Sequence, residues 1–260
     1  MLLEAAKLSL MFARAKGGTV VAVDDVSFAV RENEFTVIVG PSGCGKSSLL
    51  YLIAGLYEPT AGTIQMAGKP VDGPGADRGM VFQSFTLFPW LTVRENVAFG
   101  LKRKSMPAAQ AQPIVDRYLR DVGLLEFADA YPKQLSGGMK QRVALARSMA
   151  NDPKILLMDE PFGSLDSQTR HVMQELLLNI WEQQHKTVLF VTHDIDEAIL
   201  LGDRVIVMTA RPGRIKRDIP IALPRPRHPD IVLAPEFLAI KRQILDLLHE
   251  EVRRSLGLSG

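Results

Sequence analysis

The chain has 260 residues, 47% hydrophobic and 23% charged, with a formal net charge of +2; this is the composition of a globular protein able to bury a sizeable core, and it makes no general case for a nucleic-acid partner. Cys44 is the only cysteine, so no internal disulfide can form and a reducing compartment is expected. Glu4 and Lys7 interrupt the apolar N-terminus without a cleavage-site pattern, and no apolar run approaches the ~20 residues of a membrane span, so any spanning at a membrane is expected of another chain.

Residues 8–12 and 22–30 read as two strands of an N-terminal β-layer, joined by a polar turn at Lys16-Gly17-Gly18. The β-branched run 35–39 reads as a buried strand, and 48–54 as a helix closed by Gly55. A turn over 58–62, a short strand at 63–66 and a Gly/Pro-rich loop over 70–79 lead to a strand at 79–82 that runs into Gln83. From Phe85 to about Ala150 the pattern turns helical, with apolar residues at three- and four-residue spacing over 94–101, 108–122 and 138–150. Pro107 suits a helix start there and Gly123 a helix stop. This predicts a helical subdomain inserted into an α/β core. Strands return at 155–158 and 187–191, continuous and apolar as in a central parallel sheet, with a helix over 168–184 between them. Asp194 and Glu197 form an N-cap signature for a helix to Leu201, and strands over 205–208 and 214–219 finish the sheet. Residues 220–229 read as an extended proline- and arginine-rich linker and 237–256 as a terminal helix, giving a main domain over 1–220 and a tail over 221–260. The local basic excess of Arg211, Arg214, Lys216, Arg217, Arg225 and Arg227 is expected to be a solvated face.

Gly40-Pro41-Ser42-Gly43-Cys44-Gly45-Lys46-Ser47 fits the G-x-x-x-x-G-K-[ST] phosphate-binding pattern and lies between strand and helix, the context that the pattern requires. The glycines let successive N–H groups converge on phosphate oxygens, and the helix dipole adds positive potential. Lys46 would neutralise β- and γ-phosphates and the Ser47 hydroxyl would ligate Mg²⁺. These residues imply a bound nucleoside triphosphate. Asp159 and Glu160 end the strand at 155–158; they are either a Mg²⁺ ligand (Asp159) and a general base or water-positioner (Glu160), or a pair capping the turn before Pro161. Ser136, Gly137 and Gly138 open the helix of Leu135-Ser136-Gly137-Gly138-Met139-Lys140-Gln141-Arg142, where they offer either a second anion site or an ordinary serine N-cap. Two helix N-termini in different subdomains are most simply reconciled with one nucleotide if two copies close over it.

Over residues 8–219 the chain resembles the ATP-binding-cassette (ABC) ATPases, in which the phosphate loop, Gln83, the signature 135–142, Asp159-Glu160, Ser164-Leu165-Asp166 and His193 occur in this order. The resemblance implies a P-loop NTPase (RecA-like) core with an N-terminal antiparallel β-layer, and a head-to-tail dimer with two ATP molecules between phosphate loops and signatures. It implies that Gln83 ligates Mg²⁺ and couples to the helical subdomain, that Gln141 belongs to the nucleotide-contacting signature, that Asp166 crosses the dimer interface, and that His193 contacts the γ-phosphate. Ser48 stands where many members have threonine and keeps the hydroxyl. Phe12 would stack on adenine or be a core aromatic. Residues 85–97 resemble importer subunits, where this region forms a groove for a permease helix, with Phe85, Phe88 and Trp90 as apolar anchors. Pro89-Trp90-Leu91-Thr92, Ala210-Arg211-Pro212-Gly213-Arg214-Ile215 and Leu223-Pro224-Arg225-Pro226-Arg227 look most like the nitrate/sulfonate/taurine group. The expected partners are a second copy, integral membrane permease subunits and a solute-binding protein, with no nucleic acid, and the expected place is the cytoplasmic face of the inner membrane. An exporter ATPase and a soluble non-transport ABC ATPase are the alternatives.

Overall fold

The structure, a computed structural model, describes residues 1–14 and 17–255. Lys16 of the expected first turn and Leu256 of the terminal helix lie outside the described residues. Two compact units emerge, one formed by Met1–Gly75 with His185–Gly260 and the other by Ala76–Gln184.

In the first unit, β1 (Leu3–Ala13) pairs antiparallel with β2 (Thr19–Val30) on one side and with β4 (Ala61–Met66) on the other. Strand β1 starts five residues earlier than its apolar run predicts, because Leu3 and Ala5 bury alternately with exposed Glu4 before a register shift between Ala5 and Leu8. A two-residue strand β5 (Lys69–Pro70) adds to β4, its second residue inside the stretch read as loop. Strand β3 (Phe35–Val39) is buried at every position and leads through the phosphate loop into α1 (Lys46–Ala54). Helix α1 stops at Gly55, whose φ of 74° makes the left-handed C-cap that a glycine adopts without strain.

The second unit opens with β6 (Arg78–Val81), followed by α2 (Val93–Arg103), α3 (Ala108–Asp121) and α4 (Gly137–Ala150). Residues 83–92 are not helical; the first helix of the subdomain, expected over 94–101, begins after Thr92, which with Glu95 forms a complete capping box. Pro107 and Gly123 stand at the two ends of α3 as expected, Gly123 with φ 65°. Strand β7 (Ile155–Asp159), fully buried and parallel to β6, and α5 (Ser167–Gln184) complete this unit.

The chain then returns to the first unit. Strand β8 (Thr187–Val191), also buried throughout, lies parallel to β3, as does β9 (Arg204–Met208) on its other side. Between them, α6 (Ile195–Leu201) starts at Asp194, whose carboxylate accepts the Glu197 N–H at 3.1 Å. Strand β10 (Ile215–Pro220) runs antiparallel to β9, and α7 (Pro235–Ser255) packs against α6. The continuous apolar runs of β3 and β8 are what a parallel strand covered on both faces requires, and Phe35 meets Phe190 at 5.9 Å inside this sheet.

The expectation of a solvated basic face holds for Arg211, Arg214 and Arg217, which are exposed, and is corrected for the rest. Arg227 is 4% exposed and donates to the carbonyls of Ile199, Leu200 and Gly202 at the end of α6, and to those of Ile221 and Leu223. Arg225 donates to Leu201 O and to Asp203 Oδ1, while Asp203 Oδ2 accepts the Phe35 N–H. Guanidinium groups suit the carbonyl end of a helix, where unsatisfied acceptors and the dipole both favour a cation. Lys216 is likewise engaged, with Glu250 at 2.7 Å and Glu251 at 2.8 Å on α7. Replacing Arg227 by alanine leaves these buried carbonyls without their shared donor, which should cost about 3 kcal/mol in urea unfolding; Arg227→Lys, unable to reach both groups with one ammonium, should recover less than half.

Candidate functional site

In the first unit the phosphate loop is shaped by the positive φ of Gly43 (73°) and Gly45 (109°). A Cβ on Gly45 would come within 2.4 Å of the Ala22 carbonyl oxygen on β2, so both conformation and space demand glycine there. Gly45 is also the N-cap of α1: it offers no side-chain cap, and the first turn holds no acidic residue. Such a terminus seats an anion with no competing carboxylate. Lys46 is buried and curls back, its Nζ donating to Gly40 O at 2.9 Å and Pro41 O at 3.2 Å, which holds an ammonium over the loop. Ser42 is exposed, and Ser47 and Ser48 are half-buried in the first turn of α1. Cys44, 1% exposed, packs inside the loop; burial pushes its thiol above the ordinary value, against the opposing pull of Lys46.

His193 follows β8 and is exposed just ahead of α6. Phe12 stands near the end of β1, 38% exposed, with its ring edge-on to Tyr57 at 5.6 Å; it is an exposed aromatic rather than a core one. Arg211, expected as part of a solvated basic face and of a string like the nitrate/sulfonate/taurine group but not as a site residue, closes the outer side of the loop. From the turn between β9 and β10 it donates to Gly43 O through Nη2 at 2.9 Å and Nε at 3.3 Å. Behind it, a Cβ on Gly213 would lie 2.2 Å from Cys44 O. Only the sheet topology brings residue 211 beside residue 43, so no local signal announces the pair.

In the second unit, Asp159 ends β7, 2% exposed. Glu160 follows with φ 42°, the left-handed region that a glutamate enters only at a cost of about 1 kcal/mol, and its carbonyl accepts the Gly163 N–H at 3.1 Å. Backbone of this kind turns a side chain out of the line of its strand and clusters at functional positions. Gln83 is exposed two residues beyond β6. Ser136 is the N-cap of α4, its Oγ accepting from Met139 N at 3.3 Å, which leaves its O–H able to donate. Gly137 and Gly138 follow in the first turn, and a Cβ on Gly138 would meet the Thr169 methyl at 2.6 Å. Gln141 is 1% exposed, and neither amide atom finds a hydrogen-bond partner among the described residues. Asp166 is exposed and accepts the Thr169 N–H at the start of α5; that bond holds its carboxyl below the ordinary value.

The 85–92 segment of this unit is held by a buried residue that the sequence reading passed over. Asn96, fully buried, accepts from Phe88 N and donates to the carbonyls of Phe88, Leu91 and Thr92. The Phe88 ring lies 4.4 Å from that of Phe99 and under the Arg147 guanidinium, which also binds Thr86. Trp90 beside it is 70% exposed. No helix among the described residues is long and apolar enough to cross a membrane.

The residues 23–163 match the family model for the ABC transporter. An uncharacterized ABC transporter ATP-binding protein of Methanocaldococcus jannaschii is 55% identical over 92% of this chain and 89% of its own length. A nitrate import ATP-binding protein of a Synechocystis strain is 49% identical over 95% of this chain and 94% of that protein. A taurine import ATP-binding protein of Pelagibacter ubique is 45% identical over 96% of each. Among solved structures, a dimeric ATP-binding cassette in a post-hydrolysis state with ADP and Pi superposes with a TM-score of 0.75 at 34% identity, covering 85% of this chain and 99% of that one. The P-loop core, the antiparallel β-layer and the helical segment ahead of β7 agree with that fold, and the chain belongs to the ABC transporter family as an ATPase of the cassette type.

Proposed function

We propose that the chain is the nucleotide-binding subunit of an importer for a small anionic solute such as nitrate, a sulfonate or taurine. The observation that carries this reading is the near full-length similarity to import subunits named for nitrate and for taurine, at 49% and 45% identity. It works as a head-to-tail pair of identical cassettes, a reading supported by the dimeric neighbour, with membrane permease subunits and a solute-binding protein as partners at the cytoplasmic face of the membrane.

In this reading the N–H groups of the Gly40–Ser47 loop and the Lys46 ammonium bind the ATP phosphates, and Phe12 lies against the adenine. The oxygen donors Ser47, Asp159 and Gln83 suit a hard cation that keeps several waters and phosphate oxygens in its shell, and these residues would hold Mg²⁺. Bound Mg²⁺ supplies Lewis-acid charge at the β- and γ-phosphates. Glu160 accepts the proton of the attacking water, and His193 donates to the γ-phosphate. Ser136, Gly137 and Gly138 of one copy close over the nucleotide of the other, with Gln141 beneath them and Asp166 at the dimer interface. Trp90 and Phe88 receive a permease helix, through which closure of the cassettes does mechanical work.

Glu160→Gln keeps the size and most hydrogen bonds of the side chain but not its basicity. ATP turnover should fall by a factor of ~10²–10⁴ with nucleotide binding retained, measured as phosphate release beside nucleotide titration; undiminished turnover would overturn the role of Glu160. Tagged Glu160→Gln protein purified from native membranes with ATP and Mg²⁺ should bring down a multi-span permease, whereas a purely soluble complex would overturn the import reading. Maleimide labelling of Cys44 at neutral pH should be far slower than that of free cysteine, since burial both hides the thiol and depletes its thiolate. Saturating ATP should slow labelling further; equal rates with and without ATP would contradict nucleotide seating in this loop.

A further inference from the structure

The turn between β9 and β10 and the last turns of α7 border an open recess of about 620 Å³ within the first unit, inside the ~300–1,000 Å³ range of ligand sites. Its polar lining is Thr209, Arg211, Arg214, Glu251 and Arg254, three guanidinium groups against one carboxylate. That carboxylate is already committed: Glu251 accepts from Lys216 Nζ at 2.8 Å and from Ala210 N at 3.0 Å. Burial works against its charged form, but these bonds hold it below the ordinary value. Arg214 is bound to Asp24, and Arg254 lies 3.6 Å from Glu251 with its side chain 72% exposed. Arg211 pairs with no carboxylate among the described residues; its two bonds go to Gly43 O. A guanidinium carries five donors, so Arg211 can hold the loop carbonyl and still present N–H groups to the recess.

We infer that this recess binds a small multivalent oxyanion, carboxylate- or phosphate-bearing, between Arg211 and Arg254, and that the phosphate loop senses its presence through Arg211. Planar forks of this kind take oxyanions in paired hydrogen bonds. The sensing follows from position. Arg211 is the outer clamp of the loop, and its charge is felt within it: after burial, which raises the Cys44 thiol, and the pull of Lys46, Arg211 acts to lower it. An anion on Arg211 subtracts positive potential from the loop and weakens its hold on phosphate. The binding half stands alone; the effect on ATP rests on the proposed seating of ATP in the Gly40–Ser47 loop.

Sulfate is the probe, with ionic strength held constant by chloride. Because sulfate could also enter the phosphate loop, binding is first followed by calorimetry on the full chain carrying Lys46→Ala, where the recess is intact and the loop lacks its ammonium. Sulfate should bind this variant, and binding should weaken at least tenfold when Arg254→Gln is added. In the otherwise natural chain, saturating sulfate should raise the KM for ATP about threefold, the size expected for one screened charge near the loop. Arg254→Gln should abolish that rise, each protein being compared with its own value without sulfate. No sulfate binding to the Lys46→Ala chain, or equal binding after Arg254→Gln, would overturn the site. Binding that is lost with Arg254 but leaves the KM unmoved would overturn the sensing by the loop and keep the site. Sedimentation with phosphatidylglycerol vesicles, lost with Arg254 and unaffected by sulfate, would instead assign the arginines to a lipid headgroup and overturn a soluble ligand.

Discussion

The first unit depends on one backbone constraint: the loop between β3 and α1 must turn several N–H groups toward a common centre. That shape needs left-handed residues at Gly43 and Gly45, and it leaves the loop's outward carbonyls to be satisfied from outside. The surrounding chain supplies this closely. β2 approaches until its Ala22 carbonyl excludes any Cβ at Gly45, the turn before β10 approaches until Cys44 O excludes any Cβ at Gly213, and Arg211 takes the carbonyl of Gly43. The loop is therefore held from two sides by segments distant in sequence, and a fully buried β3 fixes its root. Rigidity of this kind is what lets fixed dipoles act on an anion without reorganising when it arrives.

How far this could be read from the sequence depends on whether the signal was local. β3, β7 and β8 announce themselves as short, largely apolar runs, and the structure buries each of them entirely, Thr36, Asp159 and Thr187 included. Asp194, Gly55 and Gly123 name helix ends because capping chemistry involves only the next few residues. The six motifs lay in the sequence in an order that identified the family before any coordinates. Arg225 and Arg227 misled because their acceptors belong to other elements, main-chain carbonyls above all: a guanidinium is solvated or withdrawn from water according to whether α6 ends beside it. Glu160's left-handed backbone was illegible for a related reason, since nothing in Asp159-Glu160-Pro161 demands it.

The segment from Ile221 onward shows the same dependence at larger scale. A proline-rich stretch was expected to be an extended spacer, and its backbone is indeed largely without helix or strand before α7. Its arginines nevertheless give it a fixed path, because Arg225 and Arg227 close the carbonyl end of α6 while Asp203 links the same corner to the N–H of Phe35 at the start of β3. Farther on, Glu251 receives both Lys216 and the Ala210 N–H. α7 is thus joined by hydrogen bonds to the very turn that carries Arg211, and through it to the phosphate loop.

In the second unit the comparable device is Asn96. Burying an amide is costly unless it is hydrogen-bonded, and Asn96 is: it ties Phe88, Leu91 and Thr92 into one corner from the first turn of α2. Phe88 is then wedged between Phe99 and Arg147, while Trp90 is left 70% exposed. Holding a tryptophan largely outward forgoes ~2 kcal/mol of apolar burial, its one ring neighbour among the described residues being Phe88 at 5.7 Å. Ordering an aromatic anchor in advance lowers the entropy lost when a partner arrives. A fixed corner that leaves a large aromatic exposed suits a partner surface more than the stability of the unit alone, and it supports the proposed permease contact.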